Sequence, residues 1–273
     1  MELTASIVLY KTNPSELRTI YDCFLKSQID FHLYLIDNSP DDRLKNILEE
    51  DHVSYYFIGK NLGYGKGHNL VLKKITQSSD YHLILNSDIT FTPDVIPELI
   101  SFMNKNEDVG LVSPKMFSTK GELQYTAKLL PSPFNLLSRF ILPSSFLKKY
   151  KSRNQLAFTI YDKIMEAPFL SGCFMFLRTK TVNDIGYFDE RFFLYTEDID
   201  FSRRINEKYK TIFYPELSII HKHAKASFKS PRMMFIHIIN AIKYFNKWGW
   251  VFDSKRRKTN KRILKELNYK GKF

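Results

Sequence analysis

The feature that most constrains the fold is a regular alternation of short apolar runs with helical stretches over residues 1–115. The apolar runs predict strands at 4–10, 32–36, 53–58, 82–85 and 109–113. Helices are predicted at 15–27, at 41–51, from the glycines of 63–67 to residue 74, and at 93–104. This alternation is typical of an α/β protein with a mostly parallel sheet and helices on both faces. Ligands of such sheets bind beyond the carboxyl ends of the strands, so we expect a site built from residues 10–13, 37–40, 61–69 and 86–88.

The second half of the chain is less regular. Residues 118–165 contain several prolines and are predicted to form a loop or insertion with short helices. Order returns with a strand-like run at 167–178. The remaining elements are predicted as a helix at 179–185, a strand at 211–221, a helix at 230–248 and a polybasic tail over 255–272.

The positive charge of the chain is confined to its last quarter. The 273 residues carry a formal net charge of +12, but residues 1–201 hold 22 Lys and Arg against 25 Asp and Glu. Residues 202–273 hold 19 basic residues against four acidic ones. A nucleic-acid-binding module usually spreads its basic surface over the recognising domain. The distribution therefore argues against a nucleic-acid partner, the competing function class, and the basic tail needs a separate explanation.

Cysteine content and hydropathy indicate the compartment. Cys23 and Cys173 are the only cysteines, which cannot form a disulfide framework and favour a reducing compartment. The first ten residues lack the basic start and the small-residue cleavage site of a signal peptide. No uncharged apolar run reaches the length of about 18 residues that a membrane-spanning helix needs. We expect a cytoplasmic protein without a membrane span.

Two acidic sequences could carry chemistry. Asp88 follows the fourth predicted strand, where a carboxylate can hold Mg²⁺ or Mn²⁺ against a diphosphate; the alternative is a turn or N-cap residue. Glu197, Asp198 and Asp200 precede a predicted amphipathic helix. Clustered carboxylates raise one another's proton affinity, so one of them can act as a general base near neutral pH. Acids are also common in the first turn of a helix, which is the competing interpretation.

Two further motifs are weaker signals. His221 and His223 close the strand predicted at 211–221, where an imidazole can bind a metal, although a lone surface histidine is commoner. No cysteine accompanies them, which disfavours structural zinc. The glycines at 63, 65 and 67 match neither the dinucleotide fingerprint nor a P-loop. Placed before a helix, they still let the backbone approach a phosphate or a sugar.

Taken together, the motifs resemble a known family. In order they read VLYKTNP, IDNSP, NLGYGKGHN, LNSDI, FLSGCFMFLR, GYFDERFFLYTEDIDFSRRI and IIHKHAKAS. This series resembles the family 2 glycosyltransferases of the GT-A fold, and among them the bacterial rhamnosyltransferases, over roughly residues 3–228. The resemblance implies a catalytic domain at 1–228, with a nucleotide-sugar-binding half at 1–115 and an acceptor half at 116–228. Residues 229–273 would then be a C-terminal amphipathic helix with a polybasic tail.

The resemblance implies an inverting, metal-dependent transfer from a nucleoside-diphosphate sugar. Asp198 would be the catalytic base, and Glu197 and Asp200 would orient the acceptor and the site. The donor would contact the following residues: Tyr10, Thr12, Asp37, Asn61, Gly63, Asn69, Asn86, Ser87, Asp88, Ser171 and Gly172.

The metal site implied by the resemblance has two ligands from the chain. Asp88 would hold Mg²⁺ or Mn²⁺ together with His221, with His223 as the alternative because the spacing permits either. Asn86 stands where the metal-binding pattern often has Asp, which leaves a single carboxylate.

The expected reaction moves a sugar, foremost L-rhamnose from a dTDP or UDP donor, to a hydroxyl of a lipid-linked saccharide in O-antigen or capsule synthesis. A galactosyl- or other hexosyltransferase of the same fold is the alternative. A catalytically dead donor-binding homologue and an oligomer are also left open.

The C-terminal helix has two interpretations. On a helical wheel an apolar face is shared by Met234, Ile238, Ala241, Ile242, Phe245 and Trp248. The opposite, polar face holds Arg232, His237, Asn240, Lys243 and Lys247. The apolar face could pack on the catalytic domain, or it could lie on the inner face of the plasma membrane with help from the basic run 255–258. In the second case, removing residues 253–273 is expected to weaken membrane binding and to leave donor hydrolysis intact.

Overall fold

The structure is a computed structural model that describes residues 2–75, 79–137, 150–222 and 230–271. Of the residues singled out above, His223 lies outside the described ranges.

A ten-stranded sheet organises the described chain. Along its main path the strands follow the order β3-β2-β1-β4-β11-β6-β12-β5, and β7 and β9 pair with β6 and β12. A separate two-stranded sheet joins β10 to β8. The strands span β1 Leu3–Leu9, β2 Phe31–Asp37, β3 Val53–Phe57, β4 Tyr81–Leu85, β5 Ile89–Phe91, β6 Val109–Phe117, β7 Leu123–Gln124, β8 Ala127–Lys128, β9 Met165–Glu166, β10 Phe169–Leu170, β11 Phe174–Arg178 and β12 Lys210–His221.

The sheet is mixed but mostly parallel. Strands β3, β2, β1 and β4 are parallel neighbours, and so are β6 and β12. Strand β11 runs antiparallel between β4 and β6, and β5 is antiparallel to β12. This arrangement confirms the predicted α/β class with a mostly parallel sheet. It also brings the carboxyl ends of β1, β2 and β4 to one edge, where the predicted site residues lie.

Helices cover both faces of the sheet. They span α1 Pro14–Lys26, α2 Tyr64–Ile75, α3 Val95–Lys105, α4 Pro133–Leu137, α5 Thr179–Ile185, α6 Glu197–Asn206, α7 Pro231–Trp248 and α8 Ser254–Glu266. One core cluster packs α1 and α3 against the sheet, and a second packs α2, α6 and α8. The helix predicted at 41–51 is wrong, since the segment forms only turns. Its five acidic residues leave Leu44 as the one fully buried side chain there, so a helix would have little apolar surface to pack.

Two strand predictions are also corrected. The apolar run 167–178 divides into β10 and β11, with a turn at 171–173 between them. The sequence analysis missed β5, a three-residue strand directly after Asp88. Both features matter for the site. The turn contains Ser171 and Gly172, and β5 starts directly after Asp88, and all three residues are predicted to bind the donor.

The C-terminal helix packs on the rest of the described chain, and only part of its predicted apolar face, including Ala241 and Phe245, is buried. The buried residues of α7 are His237, Asn240, Ala241, Tyr244 and Phe245. Met234 and Ile242, assigned to the apolar face, are 40% and 39% exposed. The helical wheel failed because buried polar groups with hydrogen-bond partners inside the domain can replace apolar ones on a packed face. The polybasic tail forms α8, whose Ile263 and Leu264 are fully buried.

No helix in the described part of the chain has the length and apolar character needed to cross a membrane.

Candidate active site

The carboxyl end of β2 places Asp37 at the bottom of the site. Asp37 is fully buried, accepts a 2.9 Å hydrogen bond from the Ser39 backbone N–H and a 2.6 Å bond from the Tyr55 hydroxyl. Burial and, to a smaller extent, this bond to Asp37 raise the pKa of the Tyr55 hydroxyl. The hydroxyl therefore stays protonated and donates the bond. The Asp37 carboxylate is thus held in one orientation at the edge of the sheet where β1 also ends.

The chain that leaves β1 borders the same end of the sheet. The Lys11 N–H donates to the Ser39 hydroxyl at 2.8 Å, and Lys11 adopts a left-handed backbone with φ of 53°. Thr12 is buried and its hydroxyl accepts from the Tyr10 N–H at 3.3 Å. Tyr10 directly follows Leu9, the β1 residue that pairs with Asp37, and its ring is half exposed. A planar base can stack on such a ring.

The glycine loop closes against the acid-rich segment. Asn61 Oδ1 accepts from the Gly63 N–H at 2.9 Å, and the Tyr64 N–H donates to the Phe193 carbonyl at 3.1 Å. Gly63 has φ of 87°, and a Cβ there would lie 2.4 Å from the Phe193 carbonyl oxygen. Glycine is required at this position for both reasons. The Asn38 amide donates to the Gly63 carbonyl at 3.1 Å, so the loop joins the edge of the sheet near Asp37 to the segment that carries the predicted base.

Asn69 lies on α2 with both ends of its amide engaged. Its Oδ1 accepts from the Phe188 N–H at 3.0 Å, and its Nδ2 donates to the Phe188 carbonyl at 2.9 Å and to Glu190 Oε1 at 3.2 Å. These bonds make Asn69 a brace between α2 and the segment that leads to the acids. The contact with donor phosphates stays a prediction.

Asp88 and His221 meet where β4 and β12 end. Asp88 Oδ1 lies 3.3 Å from His221 Nε2, and the Lys222 N–H donates to the Asp88 carbonyl at 3.0 Å. Asn86, the other polar residue of this turn, lies with its Nδ2 3.4 Å from the same imidazole nitrogen. Ser87 between them is half-buried. Asp88 and His221, which the sequence predicted as joint metal ligands, thus lie next to each other.

Gln124 fixes the imidazole of His221. The Gln124 amide nitrogen donates to the His221 carbonyl at 2.9 Å, which leaves its Oε1 to accept from His221 Nδ1 at 3.0 Å. The Nδ1 atom therefore carries the proton in the neutral ring, and the lone pair of Nε2 points toward Asp88. The Nε2 lone pair and the Asp88 carboxylate together suit a divalent cation. The hydrogen bond from His221 Nδ1 to Gln124 is of the kind that usually orients a metal-binding histidine. Across the described ranges, no group of three or more His, Cys, Asp or Glu residues forms a metal site from the chain alone.

Glu197 and Asp198 open the first turn of α6 as a coupled acid pair. Burial, with a further contribution from Asp198, raises the pKa of Glu197 to about 8. Burial also raises the pKa of Asp198, opposed by hydrogen bonds to its carboxylate and by the charge of Lys128. The Glu197 carboxylate accepts from the Thr196 N–H at 2.9 Å. Glu197 thus holds a proton near neutral pH, while Asp198 is the member that can ionise and accept one.

The turn before β11 connects the two halves of the site. The Gly172 N–H donates to Asp198 Oδ2 at 3.0 Å, and the Tyr64 hydroxyl donates to the Gly172 carbonyl at 2.6 Å. The next residue, Cys173, accepts from the Asn86 N–H at 3.0 Å through its carbonyl. Ser171 lies half-buried on the other side of Gly172. The backbone of two neighbouring residues, Gly172 and Cys173, therefore links the Asp88 side of the site to Asp198.

Asp200 does not face the site with the other acids. It is fully buried, and its carboxylate binds Arg204 at 2.9 Å, the Trp248 indole N–H at 2.8 Å and Lys247 at 2.6 Å. These partners lie on α6 and α7, so Asp200 joins the C-terminal helix to the acid-bearing helix. Of the roles assigned from the sequence, the structural one matches these contacts; contact with an acceptor stays a prediction.

Sequence reasoning missed three residues of the site. Gln124 lies on the short strand β7, Lys128 on β8 and Tyr64 at the start of α2. None belongs to a charged cluster or metal pattern, so their places follow only from the pairing of β7 with β6 and β8 with β10 and from the closure of the glycine loop. The one signal available was the position of Tyr64 inside the glycine motif.

The fold and this site define a glycosyltransferase. The chain belongs to Glycosyl transferase family 2, whose family model matches residues 6–186. Membership of this family supports a sugar-transferase activity, as the resemblance in the sequence implied.

Relatives include rhamnosyltransferases. The N-acetylglucosaminyl-diphospho-decaprenol L-rhamnosyltransferase of Mycobacterium tuberculosis is 21% identical over 241 residues, which are 82% of this chain and 77% of that protein. The rhamnosyltransferase WbbL of Escherichia coli K12 is 25% identical, over 88% of this chain and 87% of its own length. A solved structure of GalNAc-T7 with UDP, GalNAc and Mn²⁺ has a TM-score of 0.63 at 14% identity, covering 98% of this chain and 55% of that one. This likeness confirms the GT-A fold.

Proposed function

We propose that the protein is an inverting glycosyltransferase that moves L-rhamnose from a dTDP- or UDP-sugar to a hydroxyl of a lipid-linked saccharide. The observation that carries the proposal is the juxtaposition of a carboxylate–imidazole pair, Asp88 and His221, with a second carboxylate, Asp198, through the turn at Gly172. One end of the site suits a nucleoside diphosphate and the other a hydroxyl that must lose its proton.

The donor end is proposed to run from Asp37 to Asp88. Asp37 would accept hydrogen bonds from the base, with the Tyr10 ring beside it, and the diphosphate would lie toward Asp88. Asp88 and His221 would hold Mg²⁺ or Mn²⁺, which when bound supplies positive charge to the leaving diphosphate. GalNAc-T7, whose solved structure contains UDP and Mn²⁺, supports this choice of ligands.

The acceptor end is proposed to be Asp198. An acceptor hydroxyl hydrogen-bonded to the Asp198 carboxylate would lose its proton as it attacks the anomeric carbon on the face opposite the diphosphate. Glu197 would remain protonated and keep a second negative charge away from the attacking oxygen. A base opposite the leaving group gives inversion at that carbon.

The choice of rhamnose and of a lipid-linked acceptor draws on the named relatives, one of which acts on a diphospho-decaprenol substrate. A galactosyl or other hexosyl transfer by the same site is the second candidate, because the contacts proposed for the base and the diphosphate do not distinguish one sugar from another. We further propose that the protein works at the cytoplasmic face of the plasma membrane in O-antigen or capsule synthesis.

A thermal-shift screen tests the donor assignment. A ligand that binds the native state raises the unfolding temperature by mass action, so dTDP-rhamnose with Mn²⁺ should give a larger shift than UDP-hexoses or dTDP-rhamnose without the metal. A larger shift with a UDP-hexose would replace rhamnose by that sugar. No shift with any nucleotide sugar would contradict the proposed donor site.

A further inference from the structure

Helix α7 buries polar side chains and exposes apolar ones. His237 and Asn240 are 5% and 1% exposed, whereas Phe235 is 64% and Ile242 39% exposed. A helix of a soluble domain normally turns its apolar face inward. Residues three and four positions apart lie on one side of a helix, so a continuous apolar stripe faces outward. This outer stripe consists of Phe235, Ile238, Ile239 and Ile242.

Specific contacts hold α7 in this rotation. The Asn240 amide donates to the Leu194 carbonyl at 2.8 Å, and the Thr196 hydroxyl donates to the Asn240 carbonyl at 3.3 Å. The His237 ring stacks on Tyr195 with centroids 4.6 Å apart. Turning the stripe inward would break all of these contacts. They also attach α7 to the segment directly before the acid pair.

The turn after α7 exposes more apolar surface. This tip, residues 250–252, includes Val251, which is 58% exposed, and Phe252, which is 92% exposed. An open phenylalanine next to an exposed valine on a turn between two helices contributes nothing to the core. Contiguous exposed apolar surface of this kind marks an interaction site.

The charge around this surface identifies the occupant. Residues 230–271 hold eleven Lys and Arg against two acids. Asp253 is 4% exposed and pairs with Arg203, and Glu266 pairs with Arg262. Among the cations, Arg256 is 6% exposed, and Lys247 and Lys255 pair with acids outside this segment. The remaining cations leave the segment with a net positive surface charge, which repels a second copy of the same face and attracts an anionic surface. An apolar stripe flanked by cations is the pattern of a helix that lies in a bilayer interface.

We infer that the outer stripe and the tip dock on an anionic lipid bilayer, with the apolar side chains at the acyl boundary and the surrounding cations at the headgroups. The inference rests on the proposed function in one respect, namely that membrane docking would bring a lipid-carried acceptor to Asp198. It places the membrane contact on α7 and the tip rather than on the polybasic segment alone, because α8 packs Ile263 and Leu264 into the core.

Vesicle co-sedimentation of the full chain tests the inference. The probe is vesicles of equal parts phosphatidylglycerol and phosphatidylcholine, compared with pure phosphatidylcholine. The double variant Phe235→Ser, Ile242→Ser should weaken binding to the anionic vesicles by at least about tenfold, because it removes two apolar side chains that the bilayer would bury. Leu25→Ser is the matched control, since Leu25 is 47% exposed on α1 and should leave binding unchanged. Removing the tip's apolar surface with Val251→Ser and Phe252→Ser should also weaken binding, and so should high salt.

The outcomes separate the inference from its rivals. Binding of the stripe variant equal to that of the wild type, with an unchanged unfolding temperature, would overturn the inference. Equal binding to both vesicle types would contradict the proposed contact between the cations and anionic headgroups. A wild-type dimer in solution that the stripe variant abolishes would assign the stripe to a second copy instead. Donor hydrolysis measured on the same samples tests the proposed function separately, because a variant that loses vesicle binding should still hydrolyse soluble donor.

Discussion

The backbone N–H of Gly172 donates to Oδ2 of Asp198 at 3.0 Å, and a Cβ at position 172 would lie 3.0 Å from the Asp198 Cβ. The two residues are 26 positions apart and come together because β10, which ends two residues before Gly172, packs against α6 through Leu170 and Ser202. The glycine therefore both orients the proposed base and leaves room for it. The Tyr64 hydroxyl donates to the Gly172 carbonyl and so holds the same residue through its other peptide group.

Tyr64→Phe is expected to lower kcat by roughly ten- to a hundredfold, because a displaced Gly172 leaves Asp198 misoriented for the acceptor. The KM for donor should change little. The Gly172 N–H lowers the pKa of Asp198, so weakening that bond should move the acidic limb of the kcat–pH profile to higher pH. Tyr34→Phe, which changes a half-buried ring on β2, is the control. A lower unfolding temperature with unchanged kcat and pH profile would make Tyr64 a packing residue only.

The acid pair should make stability depend on pH. Glu197 has its pKa raised from 4.5 to about 8 in the folded state. The native state then retains a proton that the unfolded chain releases, so this contribution is full below about pH 4.5 and is lost as the pH rises through about 8. Each unit of raised pKa corresponds to about 1.4 kcal/mol in the free energy of unfolding. Urea titrations across this window should show wild-type stability falling more steeply with pH than that of Glu197→Gln; parallel slopes would contradict the assignment.

Gln124→Leu tests the metal site without touching a proposed ligand. Loss of the acceptor for His221 Nδ1 frees the ring to change tautomer and orientation, and such changes typically weaken metal binding by about 10–100-fold. Calorimetric titration of Mn²⁺ in the presence of nucleoside diphosphate should show this loss, and His221→Ala should lose more. An unchanged affinity in both variants would move the metal away from His221.

The C-terminal helices are expected to be required for folding. Arg203 and Asp253 form a fully buried ion pair with bonds of 2.7 and 2.8 Å between α6 and the start of α8. Breaking such a pair by Asp253→Asn should cost about 3–5 kcal/mol in the free energy of unfolding, measured with urea. Asp108→Asn, which removes the exposed Lys210–Asp108 pair, should leave the free energy of unfolding nearly unchanged. Equal effects would refute the structural role of Asp253.

The buried Arg203–Asp253 pair argues against the expectation that residues 253–273 can be removed without loss of donor hydrolysis. Removal of residues 253–273 would delete Asp253 and two buried core residues, Ile263 and Leu264, as well as the basic charge. That truncation should unfold the protein rather than leave donor hydrolysis intact. The serine substitutions on the outer stripe and the tip are therefore the better test of membrane binding.

The strand–helix alternation was predictable because every parallel strand of the first half is a short apolar run with turn residues after it. The antiparallel insertion of β11 was not, since nothing in a buried strand's composition states its direction. The meeting of Asp88 with His221 was inferred from the resemblance, but the role of Gln124 depends on a two-residue strand with no sequence signature. The buried face of α7 was predicted only in part: Ala241 and Phe245 are buried as expected. His237 and Asn240 are buried as well because they find aromatic and polar partners at 193–196, which helical periodicity cannot indicate.

The most direct test of the central claim is turnover by Asp198→Asn. With nucleotide sugar, Mn²⁺ and a lipid-linked acceptor, release of nucleoside diphosphate should fall by about 10²–10⁴-fold, the contribution of a general base. The donor-induced shift in unfolding temperature should persist, because Asp198 is proposed to contact the acceptor rather than the donor. Asp22→Asn, an exposed acid on α1, should match the wild type. Near-normal turnover by Asp198→Asn, or the same loss in Asp22→Asn, would contradict the assignment of Asp198 as the base.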